Sequence, residues 1–271
     1  MSTSAATALE VVAAAVGGLL AAWAMTVPLL RYKEQRPLTP RESDTTTAGG
    51  PQVTIAAVVR HARCPACLHD YTARELAPFT GWAARCPRCI RTELPWVAGL
   101  QTGTAVAAAL TVLAYPRSWV ALPLLWLVVV GAAVAFTDAR IWMIPRRIVW
   151  VGAGVGLALV VATSAVIGRL DRVPWAVAGG AGAFALFFVM WLVAPGKLGF
   201  GDVRLVGLLG LFLGWIDVRL VPYGILIGSL AGVLFGVARR LRGQGGHMPF
   251  GPALVLGALV ALWLHSALLV G

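Results

Sequence analysis

Charged residues are rare in this chain, and acidic residues are rarest where the sequence is most hydrophobic. Only 12% of the 271 residues are charged, whereas 59% are hydrophobic. Between Leu94 and Gly271 there is no glutamate, and aspartate occurs only at positions 138, 171, 202 and 217. The second and fourth of these stand beside arginines and are interpreted as loop residues. With a mean hydropathy of +0.83, this composition excludes a soluble domain and indicates an integral membrane protein.

The apolar segments predict an all-α, polytopic membrane helix bundle. A helix needs roughly 20 mostly apolar residues to cross a bilayer. About eight segments are candidates: residues 8–30, 94–115, 118–137, 148–168, 173–194, 203–215, 220–238 and 249–270. The sixth is short, so we expect neighbouring helices or a thinned bilayer to accommodate it. The many glycines in these runs allow close helix packing, which favours a single bundle.

Basic residues predict the orientation in the membrane. If the chain alternates sides, 18 of its 22 Lys and Arg residues fall in loops on one side. The positive-inside rule makes that side cytoplasmic and puts the N-terminus outside. The net charge of +11 then follows from topology, and no nucleic-acid partner is predicted. The first apolar run has no basic residues before it and is interpreted as a retained span, not a cleaved signal peptide.

Two of the aspartates lie at the ends of apolar runs. Asp138 ends the third segment and Asp202 precedes the sixth, so both are expected near the cytoplasmic boundary. Because ionisable groups at such positions are costly, the two are interpreted as a catalytic pair that shares one proton. Which one acts as acid and which as base stays open. In the alternative, Asp138 pairs with Arg140 and Asp202 with Arg204, and each pair only anchors a helix end.

Two glycines precede the second aspartate in the sequence Gly-Phe-Gly-Asp. Gly199 and Gly201 lack a Cβ atom, so they allow unusual backbone torsions or the close approach of an extended peptide. A protease must attack an unwound substrate backbone, and a bare backbone beside a carboxylate suits that task. Gly199 and Gly201 are therefore predicted to bind substrate.

All four cysteines lie in the predicted cytoplasmic loop. They form two C-x2-C pairs, Cys64 with Cys67 and Cys86 with Cys89. This spacing predicts a four-thiolate zinc site, and four protein ligands leave no open position, so the metal is expected to be structural. Disulfides and free thiols are the alternatives, and a cytoplasmic location argues against disulfides.

Four ordered segments together resemble the type IV prepilin peptidases, which are membrane aspartyl proteases. These are RCPACLHDYTARELAPFTGWAARCPRC, FTDARIWMIP, GFGDVRLVGLLG and MPFGPALVLGAL, which run from about Arg60 to the C-terminus. The resemblance implies a bacterial inner-membrane enzyme that cuts the basic leader of prepilins or pseudopilins at the cytoplasmic membrane face. Many members then methylate the new N-terminus with S-adenosylmethionine.

The chain departs from the family pattern mainly in its amino-terminal part. The region GGLLAAWAMTVPLLRYKEQRP lacks the family's usual asparagine, and Val97-Ala98 stands where Val-Glu is common. Because this half is associated with methylation, methyl transfer stays open. Lys197 and Leu198 replace the usual Glu and Met, and Arg146 replaces a frequent aspartate. Both catalytic aspartates are retained.

The sequence predicts three regions and leaves two other functions open. Residues 1–30 are the first transmembrane helix, residues 31–93 the cytoplasmic zinc loop, and residues 94–271 the peptidase bundle. One alternative is a transporter or channel that uses the aspartates for proton or ion coupling. The other is a non-catalytic, zinc-bearing membrane component of a secretion system.

Overall fold

The protein is an all-helical bundle with one very short antiparallel ribbon. The computed structural model describes residues 3–31, 62–63, 70–71, 94–116, 118–194, 198–243 and 249–270. Within these residues there are eight helices, as predicted. They are α1 (Thr3–Arg31), α2 (Leu94–Ala114), α3 (Ala121–Ile141), α4 (Arg146–Val166), α5 (Arg172–Val193), α6 (Phe200–Ile216), α7 (Leu220–Leu241) and α8 (Gly251–Val270).

The ribbon brackets the first pair of cysteines in the sequence. Strand β1 (Ala62–Arg63) pairs with β2 (Asp70–Tyr71), with Ala62 opposite Tyr71 and Arg63 opposite Asp70. The residues between the strands include Cys64 and Cys67. All four cysteines lie outside the described residues, so the zinc site stays a prediction.

The helices match the predicted spans closely. Five of the described helices are long and apolar enough to cross a membrane: Ala121–Arg140, Arg146–Val166, Arg172–Val193, Leu220–Leu241 and Gly251–Leu268. Two shorter apolar stretches, Ala6–Ala22 and Ala98–Ala114, belong to α1 and α2. The chain is a multi-pass helical membrane protein.

The short sixth helix forms the centre of the bundle. Helix α6 contacts α3, α4, α5, α7 and α8, and 11 of its 17 residues are buried. Its Trp215 side chain is fully buried and donates a hydrogen bond to Ser164 Oγ on α4 at 2.8 Å. Because protein covers α6 on most sides, the helix does not need the length of a lipid-facing span. The neighbouring helices accommodate its short length.

Glycines let α5 lie directly against α6. A Cβ atom at Gly179 would stand 2.6 Å from the carbonyl oxygen of Gly210, and one at Gly214 would stand 2.5 Å from that of Trp175. Any side chain at these positions would push the helices apart. The glycine-rich composition thus yields the close packing that was predicted.

Candidate active site

Asp138 lies at one end of the bundle, where α3 ends in a tight turn. Asp138 lies in the last turn of the helix and is 6% exposed. Its carbonyl oxygen accepts the N–H of Trp142 at 2.9 Å, and Trp142 adopts a left-handed conformation with φ of 57°. This conformation ends a helix. Pro145 then directly precedes α4, where its fixed φ suits a helix start.

Asp202 comes from the first turn of α6. It is half-buried, and its backbone N–H donates to the carbonyl of Gly199 at 3.0 Å. The helix therefore begins at Phe200, between the two glycines. A carboxylate in the first turn also lies in the favourable field of the helix N-terminus.

Both aspartates line the same cavity, whose volume is about 460 Å³. Ten residues form its wall: Asp138, Trp142, Met143, Ile144, Pro145, Arg146, Gly199, Gly201, Asp202 and Arg204. The two carboxyl groups are close enough to interact electrostatically. The structure thus brings together the two side chains that the sequence left 64 positions apart. Two carboxylates in one partly dry site resist simultaneous ionisation, so the pair can hold one shared proton.

The predicted glycines also line this cavity, and a Cβ atom added at either would lie close to a neighbouring side chain. A Cβ atom at Gly199 would stand 3.1 Å from Asp202 Oδ2, and one at Gly201 would stand 2.9 Å from the Cβ of Ile144. Gly201 therefore permits contact between the turn after α3 and the start of α6. Gly199 is exposed to solvent and Gly201 is half-buried.

The local pairing of Asp202 with Arg204 is not formed. The Arg204 guanidinium lies over the Phe200 ring, 4.5 Å from its centre. That ring packs edge-on or tilted against Phe188 and Trp191 of α5, at centroid distances of 6.3 and 5.1 Å. The aromatic cluster holds the guanidinium at the cavity wall through a cation–π contact. Asp202 is thus left without an ion pair to Arg204.

The remaining two aspartates of this part of the chain are ordinary loop residues, as predicted. Asp171 forms an exposed ion pair with Arg169 at 3.2 Å. The hydrogen bond from Arg169 lowers the pKa of Asp171 below its usual range. Asp217 accepts the backbone N–H of Arg219 at 2.8 Å, just before α7. Neither lines the cavity of Asp138 and Asp202.

Sequence reasoning missed three contributors to this site. Arg146, interpreted above as a departure from a pattern, lines the cavity, and so does Arg204. The backbone N–H of Gly251 donates to Asp138 Oδ2 at 2.7 Å. In the sequence, Gly251 belongs to the MPFGP segment. That segment indicated no role in the site, because residue types do not reveal which backbone amides donate hydrogen bonds.

Metal ligands are a separate question from these carboxylates. Among the residues that the structure describes, no group of three or more His, Cys, Asp or Glu could hold a metal ion. The predicted zinc ligands Cys64, Cys67, Cys86 and Cys89 are not among those residues.

Comparison with known proteins identifies relatives over most of the chain. The sequence model of the type IV leader peptidase family matches residues 117–237, which include both aspartates. No solved structure matches. A prepilin leader peptidase/N-methyltransferase of Aeromonas salmonicida (strain A449) is 31% identical, covering 76% of this chain and 72% of the relative.

Two further relatives extend this result. A prepilin leader peptidase/N-methyltransferase of Pseudomonas putida is 32% identical over 74% of this chain and 72% of its own. A type 4 prepilin-like proteins leader peptide-processing enzyme of Escherichia coli O78:H11 is 28% identical over 94% of both chains. With its helices, its carboxyl pair and these relatives, the chain belongs to the type IV leader peptidase family and is a multi-pass protein of the bacterial inner membrane.

Proposed function

We propose that this chain is a membrane aspartyl endopeptidase that removes the leader peptide of type IV prepilin-like proteins at the cytoplasmic membrane face. Asp138 and Asp202 are its catalytic residues. One observation supports this most strongly: both carboxyls line a single cavity of about 460 Å³ at one end of the bundle. The printed names of the relatives supply the class of substrate.

Hydrolysis in this cavity needs only the carboxyl pair and water. The ionised carboxyl removes a proton from water, which attacks the scissile carbonyl carbon. The protonated carboxyl donates a hydrogen bond to the carbonyl oxygen. When the C–N bond breaks, the carboxyl that took the proton from water gives it to the leaving amine, and the pair again holds one proton. Burial of Asp138 strengthens these interactions because the local dielectric constant is low.

Gly199 and Gly201 bind the substrate backbone in this proposal. Both line the cavity next to Asp202. Without Cβ atoms, they leave room for an extended peptide to approach the carboxyls. The solvent-exposed Gly199 is the better placed of the two, since Gly201 already packs against Ile144.

A structural zinc ion bound by Cys64, Cys67, Cys86 and Cys89 orders the cytoplasmic loop. Four thiolates in two C-x2-C pairs suit tetrahedral Zn²⁺ and leave no site for a catalytic water. The antiparallel pairing of Arg63 with Asp70 supports this, because these two residues flank the first cysteine pair in the sequence. When bound, the metal supplies folding free energy to the loop.

Methylation of the new N-terminus, with S-adenosylmethionine as donor, is a second activity that rests on the printed names of the relatives. Asp138 and Asp202 are present whether or not the chain transfers a methyl group. Methyl transfer therefore remains a separate proposal, and its test is separate too.

The proposed topology has the N-terminus outside and the zinc loop, residues 31–93, in the cytoplasm. The first helix comprises residues 1–30 and the peptidase bundle residues 94–271. The side bias of 18 among 22 basic residues supports this orientation. Asp138 and Asp202 then lie on the cytoplasmic side, where a basic leader is accessible.

A proton- or ion-coupled transporter and a non-catalytic secretion component are the other candidate functions. Both predict that the wild-type chain cleaves no leader peptide. Co-expression with a prepilin-like substrate separates them from the peptidase. Asp138→Asn and Asp202→Asn should each abolish cleavage while the protein accumulates in the membrane, and Asp171→Asn, which alters an exposed loop residue, should cleave like the wild type. Full cleavage by either catalytic-pair variant would refute the peptidase assignment.

A further inference from the structure

The amide of Gly251 is the one long-range hydrogen-bond donor to a catalytic carboxyl in the described part of the chain. It donates to Asp138 Oδ2 at 2.7 Å in a buried contact between residues 113 positions apart. Gly251 is the first residue of α8. Amides at this point of a helix have no acceptor within the helix itself, so Asp138 satisfies a donor that would otherwise be buried without a partner.

The contact requires glycine at this position. A Cβ atom at Gly251 would stand 2.9 Å from Asp138 Oδ2 and 3.3 Å from Asp138 Cβ. The neighbouring atoms belong to a short, buried side chain on a rigid helix and cannot swing away as a long chain could. Any larger residue would therefore displace either the carboxyl or the start of α8.

Close packing on both sides holds the start of α8 in place. Gly257 of α8 lies directly against the backbone of Gly228 on α7, and Gly232 of α7 faces the ring of Phe250, the residue before Gly251. On the opposite side, Val255 packs against Gly131 of α3. Helix α8 thus carries its first amide to Asp138 from a rigid position.

We infer that Gly251 is a positioning residue for the peptidase reaction. Its amide occupies Oδ2 of Asp138 and leaves Oδ1 as the oxygen that meets water and the shared proton. The inference rests on the proposed function, and it assigns to the last helix a role in orienting the carboxyl pair. Gly251 does not itself touch substrate in this scheme.

Steady-state cleavage of a purified prepilin by the full-length enzyme tests this role through the separate values of kcat and KM. Gly251→Ala should lower kcat by about 10- to 100-fold, the range for a misplaced hydrogen bond to a charged group, while KM stays within about twofold. The control is Gly182→Ala on α5, where an added Cβ atom would meet no atom within 4 Å. It should keep kcat within about threefold of the wild type.

Unchanged kcat in Gly251→Ala, or an equal loss in both glycine variants, would overturn the inference. A wild-type protein that cleaves no prepilin would instead refute the proposed function itself, so the two failures are distinguishable. If Gly251→Ala does not accumulate, hydrogen–deuterium exchange tests the hydrogen bond between Gly251 and Asp138 instead. The amides of Phe250, Gly251 and Ala253 should exchange faster in Asp138→Ala and not in Asp202→Ala, and equal exchange in both variants would refute the hydrogen bond's role.

Discussion

Gly201 and Ile144 join the two segments that carry Asp138 and Asp202, the proposed catalytic pair. A Cβ atom at Gly201 would stand 2.9 Å from the Cβ of Ile144 and 3.4 Å from its Cγ1. Ile144 is buried in the turn that follows Asp138, and Gly201 directly precedes Asp202. The approach of these two residues therefore sets how close the two carboxyls come.

Gly201→Ala is expected to reduce leader cleavage because the new methyl group forces the two segments apart. Even a displacement of about 1 Å in an active site can cost roughly 100-fold in rate. The measurement is kcat/KM with a purified prepilin. Adding Ile144→Gly removes the Cβ atom that the new methyl group would meet, together with Cγ1 and Cδ1, so the double variant should recover part of the activity.

The same pair of variants separates two roles of Gly201. If Gly201 serves only the approach of the substrate backbone, shortening Ile144 restores nothing. Gly199→Ala is the comparison, because its new Cβ would face solvent and Asp202 Oδ2 but not Ile144. Its activity should not recover with Ile144→Gly.

Zinc content is the second prediction. The purified protein should contain about one zinc ion per chain, since two C-x2-C pairs supply four thiolates. Replacing Cys86 with Ser should lower both the zinc content and the thermal stability, and cleavage should fall indirectly because the metal orders the loop. Elemental analysis of a preparation made without chelator measures the zinc content per chain. Asp138→Asn should retain the full zinc content, and a folded wild-type protein without zinc would contradict the prediction.

The sequence predicted the helices and singled out Asp138 and Asp202, because both have signals in residue type. Long apolar runs define the spans, and Asp138 and Asp202 are conspicuous where acidic residues are almost absent. The central place of α6 had a weaker signal, its short length. The contact between Gly251 and Asp138 could not be inferred from the MPFGP segment, because a backbone amide acts there and its partner lies 113 residues away. The alternative pairing of Asp202 with Arg204 is not formed, because the Arg204 guanidinium packs on an aromatic ring whose position depends on the α5–α6 packing.

The hydrogen bond between Trp215 and Ser164 is expected to stabilise the bundle. Trp215 Nε1 donates to Ser164 Oγ at 2.8 Å in a fully buried site between α6 and α4. Trp215→Phe should destabilise the protein by about 1 kcal/mol or more, because it removes the donor and part of the packed ring. Thermal unfolding in detergent, followed by intrinsic fluorescence or by aggregation, measures the loss.

A double-mutant cycle separates the free energy of the hydrogen bond between Trp215 and Ser164 from that of packing the indole ring. Ser164→Ala leaves the indole N–H buried without its acceptor, whereas the double variant removes both polar atoms. The two single losses should therefore sum to more than the double loss. Trp263→Phe, which breaks a longer bond of 3.2 Å to Thr111 at a half-buried site, should cost less. Additive effects in the Trp215 cycle would show that the bond contributes nothing.

Leader cleavage is expected to persist whether or not the chain methylates its product. The family match spans residues 117–237, which contain Asp138, Asp202 and both cavity glycines, whereas the departures associated with methylation lie before residue 100. The two reactions also need different chemistry. Hydrolysis needs two carboxyls and water, while methyl transfer needs a sulfonium donor and a neutral N-terminal amine.

Mass spectrometry of the mature pilin, made by this enzyme in a host without its own prepilin peptidase, distinguishes the cases. A cleaved, unmodified N-terminus would mean that the chain acts as a peptidase alone. A mass increase of one methylene at the first residue would mean that the altered amino-terminal region still supports transfer. In both cases Asp202→Asn should abolish cleavage and with it any methylation, because the amine that accepts the methyl group exists only after the peptide bond is cut. Uncleaved substrate beside a correctly inserted wild-type enzyme would contradict the idea that the carboxyl pair suffices for the peptidase reaction.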